Sequence, residues 1–173
     1  MTMNIISGRY KGLQIKTNKR LPYRPTSSRV RKSIFDILGN LNDLSVLDIF
    51  AGSGILGFEA VSRGASEITF VDNNRKVIEL IKINSNKFNE QLNANIICSK
   101  WDIFLKKNKL YDIIFADPPY GKIDIYKLKE ICFSSLLNNG RFILESSKND
   151  RIPEGGITKH YGDTVVTFWT NSS

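Results

Sequence analysis

A chain of 173 residues has room for one domain with a sizeable core, and 41% hydrophobic with 24% charged residues argues against wholesale disorder. No apolar run nears the ~20 residues of a membrane-spanning helix, no apolar core of a signal peptide opens the chain, and the cysteines, Cys98 and Cys132, lack metal or redox spacing. A cytoplasmic protein with no metal site, no membrane partner and two buried thiols is the expectation.

The formal net charge of +8 is unevenly placed. Residues 1–32 carry nine basic side chains (Arg9, Lys11, Lys16, Lys19, Arg20, Arg24, Arg29, Arg31 and Lys32) and no acidic one, whereas the rest of the chain holds sixteen basic against seventeen acidic. Strict exclusion of Asp and Glu over that length favours contact with a polyanion, nucleic acid above all. Polyphosphate or an anionic membrane would draw on the same charges.

In chain order, "MNIIS" and "LQIKT" flank the glycine-bearing "GRYKG", which predicts a hairpin presenting Arg9, Tyr10 and Lys11 at its tip. Two prolines in "LPYRPTSS" then exclude regular structure. "SRVRKSIFDILG" reads as a helix capped by Ser27 or Ser28 and stopped at Gly39. Val30, Ile34, Ile37 and Leu38 mark its apolar face, and Arg29, Arg31 and Lys32 point elsewhere. From residue 45 the rhythm becomes strand, helix, strand, with short β-branched strands at 45–50, 67–72, 94–99, 111–117 and 141–146. "TKHYGDTVVTFW" predicts two strands about Gly162–Asp163, an antiparallel pair at a sheet edge. This is one α/β unit: residues 1–40 form a basic extension and 41–173 the main domain.

In such a sheet, ligands sit at the carboxyl ends of the strands. Asp48, Asp72, Asp102 and Asp117 lie at or just beyond four of these ends. Gly52, Gly54 and Gly57 follow the first, spelling G-x-G-x-x-G, a pattern shared by dinucleotide sites. Asp72, twenty residues after Gly52, can accept both hydroxyls of an adenosine ribose in either NAD or S-adenosylmethionine. Asp48 tilts the choice: a carboxylate beside the loop would oppose a pyrophosphate, but not a methionine moiety with an ammonium and a sulfonium.

The stretch "FADPPYG" tilts it further. An exocyclic amine on a base is a poor nucleophile, because its lone pair is delocalised into the ring. Two acceptors that take both of its N–H groups would localise that lone pair. Asp117 can supply one and the Pro118 carbonyl the other, with Pro118 and Pro119 fixing the turn. Tyr120 offers a face on which a base can stack, worth about 1–3 kcal/mol.

"FAGSG" followed by "DPPY" resembles the signature pair of amino-methyltransferases that act on DNA, RNA or protein glutamine. "IISGRYKG", "RPTSSRVRKSIFDIL", "VLDIFAGSGILGFEAVSRGA" and "HYGDT" are similar to the RsmD family over essentially the whole chain. That family methylates N2 of guanine 966 in bacterial 16S ribosomal RNA. The resemblance implies a Rossmann-like class I methyltransferase fold, seven-stranded and mostly parallel with the last strand antiparallel. It implies S-adenosylmethionine held near Asp48, Phe50, Ala51, Gly52, Ser53, Gly54, Asp72, Asn73, Trp101 and Asp102, with Asp117, Pro118, Pro119 and Tyr120 as the catalytic turn. Arg9, Lys11, Arg24, Thr26 and Arg29 would contact 16S rRNA, within an assembled or assembling 30S subunit, and the protein would be a monomer. The rivals are a DNA adenine-N6 methyltransferase, a glutamine methyltransferase (which has Asn where Asp117 stands) and a non-catalytic nucleic-acid-binding domain of the same fold.

Overall fold

A computed structural model describes residues 2–18, 26–88, 92–107 and 109–172. A two-stranded hairpin comes first, β1 (Thr2–Asn4) and β2 (Gln14–Lys16), pairing Thr2 with Lys16 and Asn4 with Gln14. Its connection is longer than a tight turn and bends at Gly8 and Gly12, both at positive φ. Gly8 has no room for a side chain, since an added Cβ would sit 1.8 Å from the Ser62 carbonyl oxygen.

Helix α1 (Ser28–Leu38) follows, with the Ser27 side chain accepting from Val30 N–H and Gly39 ending it at φ 73°. Its buried residues are Val30, Arg31, Ile34, Phe35 and Leu38. Two sequence expectations are corrected here. Ile37 is 40% exposed, and Arg31, expected on the outer face, is fully buried. The inward stripe is rotated because Arg31 has a partner inside, Glu59.

The main sheet takes β3 (Ser45–Ile49), β4 (Glu67–Asp72), β5 (Ala94–Cys98), β6 (Tyr111–Ala116), β7 (Leu136–Ser147), β8 (Ile157–Tyr161) and β9 (Thr164–Thr170) in the order β5-β4-β3-β6-β7-β9-β8. The first five strands run parallel, and β9 inserts antiparallel between β7 and β8. This is the seven-stranded sheet the sequence led us to expect, down to the closing antiparallel strands. Strand β7 begins earlier than expected, because a register shift between Tyr111 and Ile113 lets Leu136 pair ahead of Arg141.

The crossover helices are α2 (Ile55–Ser62), α3 (Arg75–Ser85), α4 (Trp101–Leu105) and α5 (Ile125–Phe133). They divide the core in two. Val46, Phe70, Ile113, Phe115 and Ile143 pack against α1, α2, α3 and the hairpin's Ile5 and Ile15. Leu47, Ile49, Ile114 and Leu144 pack against Phe104 and Leu105 of α4 and Leu128 and Cys132 of α5. The basic extension therefore shares the main hydrophobic core. Cys132 is buried and its thiol is pushed up by desolvation, whereas Cys98 is exposed and departs from the expected burial. It ends an outer strand of the sheet, where one side has no neighbour. Among the described residues no helix is long and apolar enough to cross a membrane.

Glu59 pins the extension to the sheet. The middle of an otherwise apolar α2 holds this carboxylate at full burial. It accepts from Ile6 N–H (2.8 Å), Ser7 N–H (3.1 Å) and Arg63 Nε (2.8 Å), and Arg31 Nη1 lies 3.8 Å away. Arg31 donates to the Asn4 carbonyl from both Nη atoms and to Ser28 Oγ, all at 3.2 Å. A buried charge survives only where it is paired and hydrogen-bonded. Here the partners come from three different elements, so the ion pair joins hairpin, α1 and α2.

Candidate active site and cofactor cleft

Sheet order places the reversal of winding between β3 and β6, which lie side by side while their outer neighbours differ. Ligands of open α/β sheets bind at such a crevice. The carboxyl ends of five strands line the rim there. In spatial order they bring Asp102, just past β5 in the first turn of α4; Asp72, at the end of β4; Asp48 and the glycine loop, on β3; Asp117, after β6; and Glu145, near the end of β7. The four expected aspartates do fall along one edge. Glu145 is a fifth carboxylate that sequence reasoning passed over, although the same strand-end rule applied to "RFILES" would have found it.

The loop between β3 and α2 turns through three left-handed positions, Phe50 (φ 62°), Gly52 (φ 54°) and Gly54 (φ 77°). Phe50 adopts this despite its side chain, and its ring lies 6.2 Å from that of Trp101, which is half-buried against the α4 side of the core. Gly57 serves packing: a Cβ there would stand 2.3 Å from the Phe70 ring, so only glycine lets α2 lie this close to β4. Ala51 and Ser53 are buried, and the Ser53 carbonyl accepts from Asn84 Nδ2, which also donates to the Lys16 carbonyl. That side chain ties the glycine loop to the end of the hairpin.

Asp48 sits behind this loop rather than on it. It is 2% exposed, and Oδ2 accepts from Gly57 N–H at 3.1 Å. Gly54, the N-cap of α2, has no side chain to offer, so Asp48 satisfies a first-turn amide from below. Burial holds its carboxyl well above the ordinary 3.8, opposed by the Gly57 hydrogen bond and assisted by the nearby Asp72. An amide already bonded to a carboxylate cannot cradle a pyrophosphate, which sharpens the argument against a dinucleotide.

Asp72 is aimed at the loop by accepting from Gly52 N–H (3.2 Å) and Asn74 N–H (2.9 Å). Burial raises its pKa, and these backbone bonds oppose the rise. With one of these bonds on each oxygen, Asp72 keeps acceptor capacity, as a ribose diol would require. Asn73 is exposed beside it, and Asp102 is half-buried with Oδ1 on Ile103 N–H at 3.0 Å. The residues present thus fit an adenosyl group without phosphates: a tight glycine loop, a half-buried carboxylate at the end of β4, and a helix whose Gly57 amide is already bonded to Asp48.

Across the reversal point, Asp117 is half-buried, Pro118 buried, Pro119 exposed and Tyr120 37% exposed. Tyr120 Oη lies 3.5 Å from Thr164 Oγ1 on β9. The N-terminus of α1 comes to the same edge, because Ser27, Arg29 and Val30 line a cavity with Glu145, Tyr161, Gly162 and Thr164. Arg29 is exposed there and Thr26 is buried. Arg24 lies outside the described residues. Arg9 and Lys11 are exposed at the other end of α2: Arg9 N–H donates to the Ser62 carbonyl at 2.7 Å, and Tyr10 turns its ring onto Phe88. The structure therefore separates the basic side chains that the sequence presents as one run.

This fold, with its rim of acidic strand ends and its Asp-Pro-Pro-Tyr turn, is that of a class I S-adenosylmethionine-dependent methyltransferase. The chain belongs to the family described as "Conserved hypothetical protein 95", the RsmD family, whose pattern matches residues 3–170. It is 38% identical over 146 residues to "Ribosomal RNA small subunit methyltransferase D" of Buchnera aphidicola, covering 83% of this chain and 73% of that one. It is 33% identical to YlbH of Bacillus subtilis, provisionally named an rRNA methyltransferase, over 95% of this chain and 91% of the other. Among solved structures, Escherichia coli yhhF, provisionally named a methyltransferase, superposes with a TM-score of 0.87 at 26% identity, covering 100% of this chain and 99% of that one.

Proposed function

We propose that the protein methylates the exocyclic N2 amine of a guanine in 16S ribosomal RNA, with the small ribosomal subunit as the substrate particle. The observation that carries this reading is the Asp117–Tyr120 turn at the reversal point, on the strand next to the one that ends in the glycine loop, with Tyr120 reaching Thr164 of the cavity that the N-terminus of α1 also lines. Support comes from family membership and from relatives whose names specify ribosomal RNA of the small subunit.

The bound cofactor supplies an electrophilic methyl on a sulfonium. The chain's own residues prepare the nucleophile. The Asp117 carboxylate accepts one amine N–H and the Pro118 carbonyl the other, drawing the nitrogen towards tetrahedral and aiming its lone pair at the cleft. Both acceptors are fixed before the reaction, so they stabilise the charge growing on nitrogen without reorganising. Tyr120 stacks on the base, its ring steadied through Thr164. The base must leave its own stack to reach the turn, as in other enzymes that do chemistry on bases. Arg29, at the same edge, meets RNA phosphate, and Arg24, Thr26, Arg9 and Lys11 extend that contact along the basic segment.

The experiment is transfer of labelled methyl to unmodified 30S particles, protein-free 16S RNA and duplex DNA, followed by digestion to nucleosides. N2-methylguanosine from particles is the expected product. N6-methyladenine in DNA would retain the catalytic turn but replace the substrate. Bound cofactor with no transfer to any of the three would favour the binding-domain alternative.

A further inference from the structure

The Asp-Pro-Pro-Tyr turn accounts for how an amine is gripped, but not for which base carries it. Adenine, cytosine and guanine all have an exocyclic amine. They differ at the ring nitrogen beside it: adenine N1 and cytosine N3 are bare acceptors, whereas guanine N1 carries a hydrogen and donates. A site that accepts hydrogen bonds at both the amine and the neighbouring ring position therefore fits guanine. It sets lone pair against lone pair with the other two.

Such a second acceptor stands next to the turn. Strands β6 and β7 pair in parallel register with Phe115 opposite Ile143 and Ala116 opposite Leu144. Phe115 and Ile143 face the α1 side of the sheet, and Leu144 faces the α5 side. Pairing ends at Ala116 opposite Leu144. Asp117, just past the end of β6, and Glu145, on β7, each come one position later, where the same alternation carried one step on brings both to the α1 side. Glu145 is only 7% exposed, yet it lines a cavity of ≈ 280 Å³ with Ser27, Arg29, Tyr161 and Thr164. Thr164 is also the residue that Tyr120 reaches from the catalytic turn. The cavity is smaller than the roughly 300–1,000 Å³ of pockets for drug-sized ligands, a size suited to a single base. A Glu carboxylate offers acceptors and no donor.

We propose that Glu145 reads the target base as guanine, its carboxylate accepting N1–H while Asp117 and the Pro118 carbonyl hold the N2 amine. The proposal rests on the guanine reading given above. It makes Glu145 a specificity residue on the far side of the base from the cofactor loop. It also gives the packing of α1 a catalytic consequence, because Ser27 and Arg29 close the cavity over the base.

The test compares 30S particles reconstituted with 16S RNA carrying either guanine or 2-aminopurine at the methylated nucleotide. 2-Aminopurine keeps the N2 amine but has a bare acceptor at N1. A buried polar contact of this kind is worth roughly 5- to 150-fold in discrimination, so the wild-type protein should favour guanine by at least about fivefold in kcat/KM. In Glu145→Gln the amide can donate to that bare N1. Activity on guanine should fall by roughly 10- to 100-fold while the guanine-to-2-aminopurine ratio drops by a similar factor. Glu145→Asp, which keeps the charge, should hold the preference for guanine. Equal use of both bases by wild-type protein overturns the proposal, and needs no variant that folds. So does a Gln variant that loses activity on both substrates alike, the behaviour of a merely structural residue. Wild-type protein that forms no N2-methylguanosine on guanine particles would instead overturn the guanine reading itself.

Discussion

Asp117 and Asp48 are both carboxylates at strand ends, and the fold assigns them different work. Asp117 is half-buried past the end of β6, and in the proposed mechanism it grips the substrate amine. Replacing it by Ala should lower kcat by about 10²-fold or more, the usual cost of losing one fixed electrostatic partner. Cofactor affinity should stay intact, and single-turnover transfer with equilibrium dialysis would separate the two. Asp48 faces inward and caps α2. Its folded-state pKa lies above the unfolded 3.8, so the stability it lends is complete below that value and is lost as pH rises through the raised one. Asp48→Asn keeps an acceptor for Gly57 without the charge. The stability of the variant relative to wild type should therefore improve as pH rises above about 4, read from Tm across a pH series. The opposite slope would mean the carboxylate is stabilised by burial partners rather than penalised.

At the level of elements, the most consequential junction is the one that sequence patterning assigned to solvent. Arg31 looked like one more basic residue on an outward face, because helical periodicity records where side chains point only relative to their own helix. Which face meets the sheet was settled by Glu59, a residue of another helix. Glu59→Ala leaves Arg31 buried without its countercharge and should cost about 3–5 kcal/mol, measured by urea unfolding. Amide exchange of residues 5–13 should rise with it, since Ile6 and Ser7 lose their acceptor. A double replacement of Arg31 and Glu59 by Met should recover only part of that loss: it removes the orphan Arg31 charge, but Ile6 and Ser7 N–H and Arg63 still lose their acceptor. The strands were easier to read. β4 matches its predicted span of 67–72, because central strands of a parallel sheet are apolar on both faces and end abruptly at polar turns.

For the molecule as a whole, electrostatics would set the approach of the RNA proposed as substrate. Of the nine basic residues in the first 32, Lys19, Arg20 and Arg24 lie outside the described residues, Arg31 is internal, and Lys32 pairs with Asp36 at 2.6 Å. Arg29 lines the cavity beside the Asp117–Tyr120 turn, whereas Arg9 and Lys11 sit at the C-terminal end of α2, a helix about 12 Å long whose other end holds the glycine loop. Arg29→Glu should weaken particle binding and reduce the slope of log K against log salt by about one unit. Joint reversal of Arg9 and Lys11 should do the same if bound RNA follows the hairpin to its tip. An unchanged salt slope would confine the RNA to the catalytic edge. Filter binding at several salt concentrations measures both.

Local chemistry was legible from residue order alone: strand ends, the glycine loop, the aspartate that precedes it and the Asp-Pro-Pro-Tyr turn each depend on neighbours within a few positions. Those features were enough to name the fold class and the cofactor. What the order could not convey was everything set by approach between distant segments. The inward turn of Arg31 depends on Glu59, 28 positions away in the sequence. The place of Glu145 one position past the Ala116–Leu144 pair, at the end of β6, depends on β6 and β7 pairing in a particular register. The division of one basic run into two separate surfaces depends on how the hairpin docks on Ser62. Each is a contact between groups whose energies become available only once the chain has closed the loop between them.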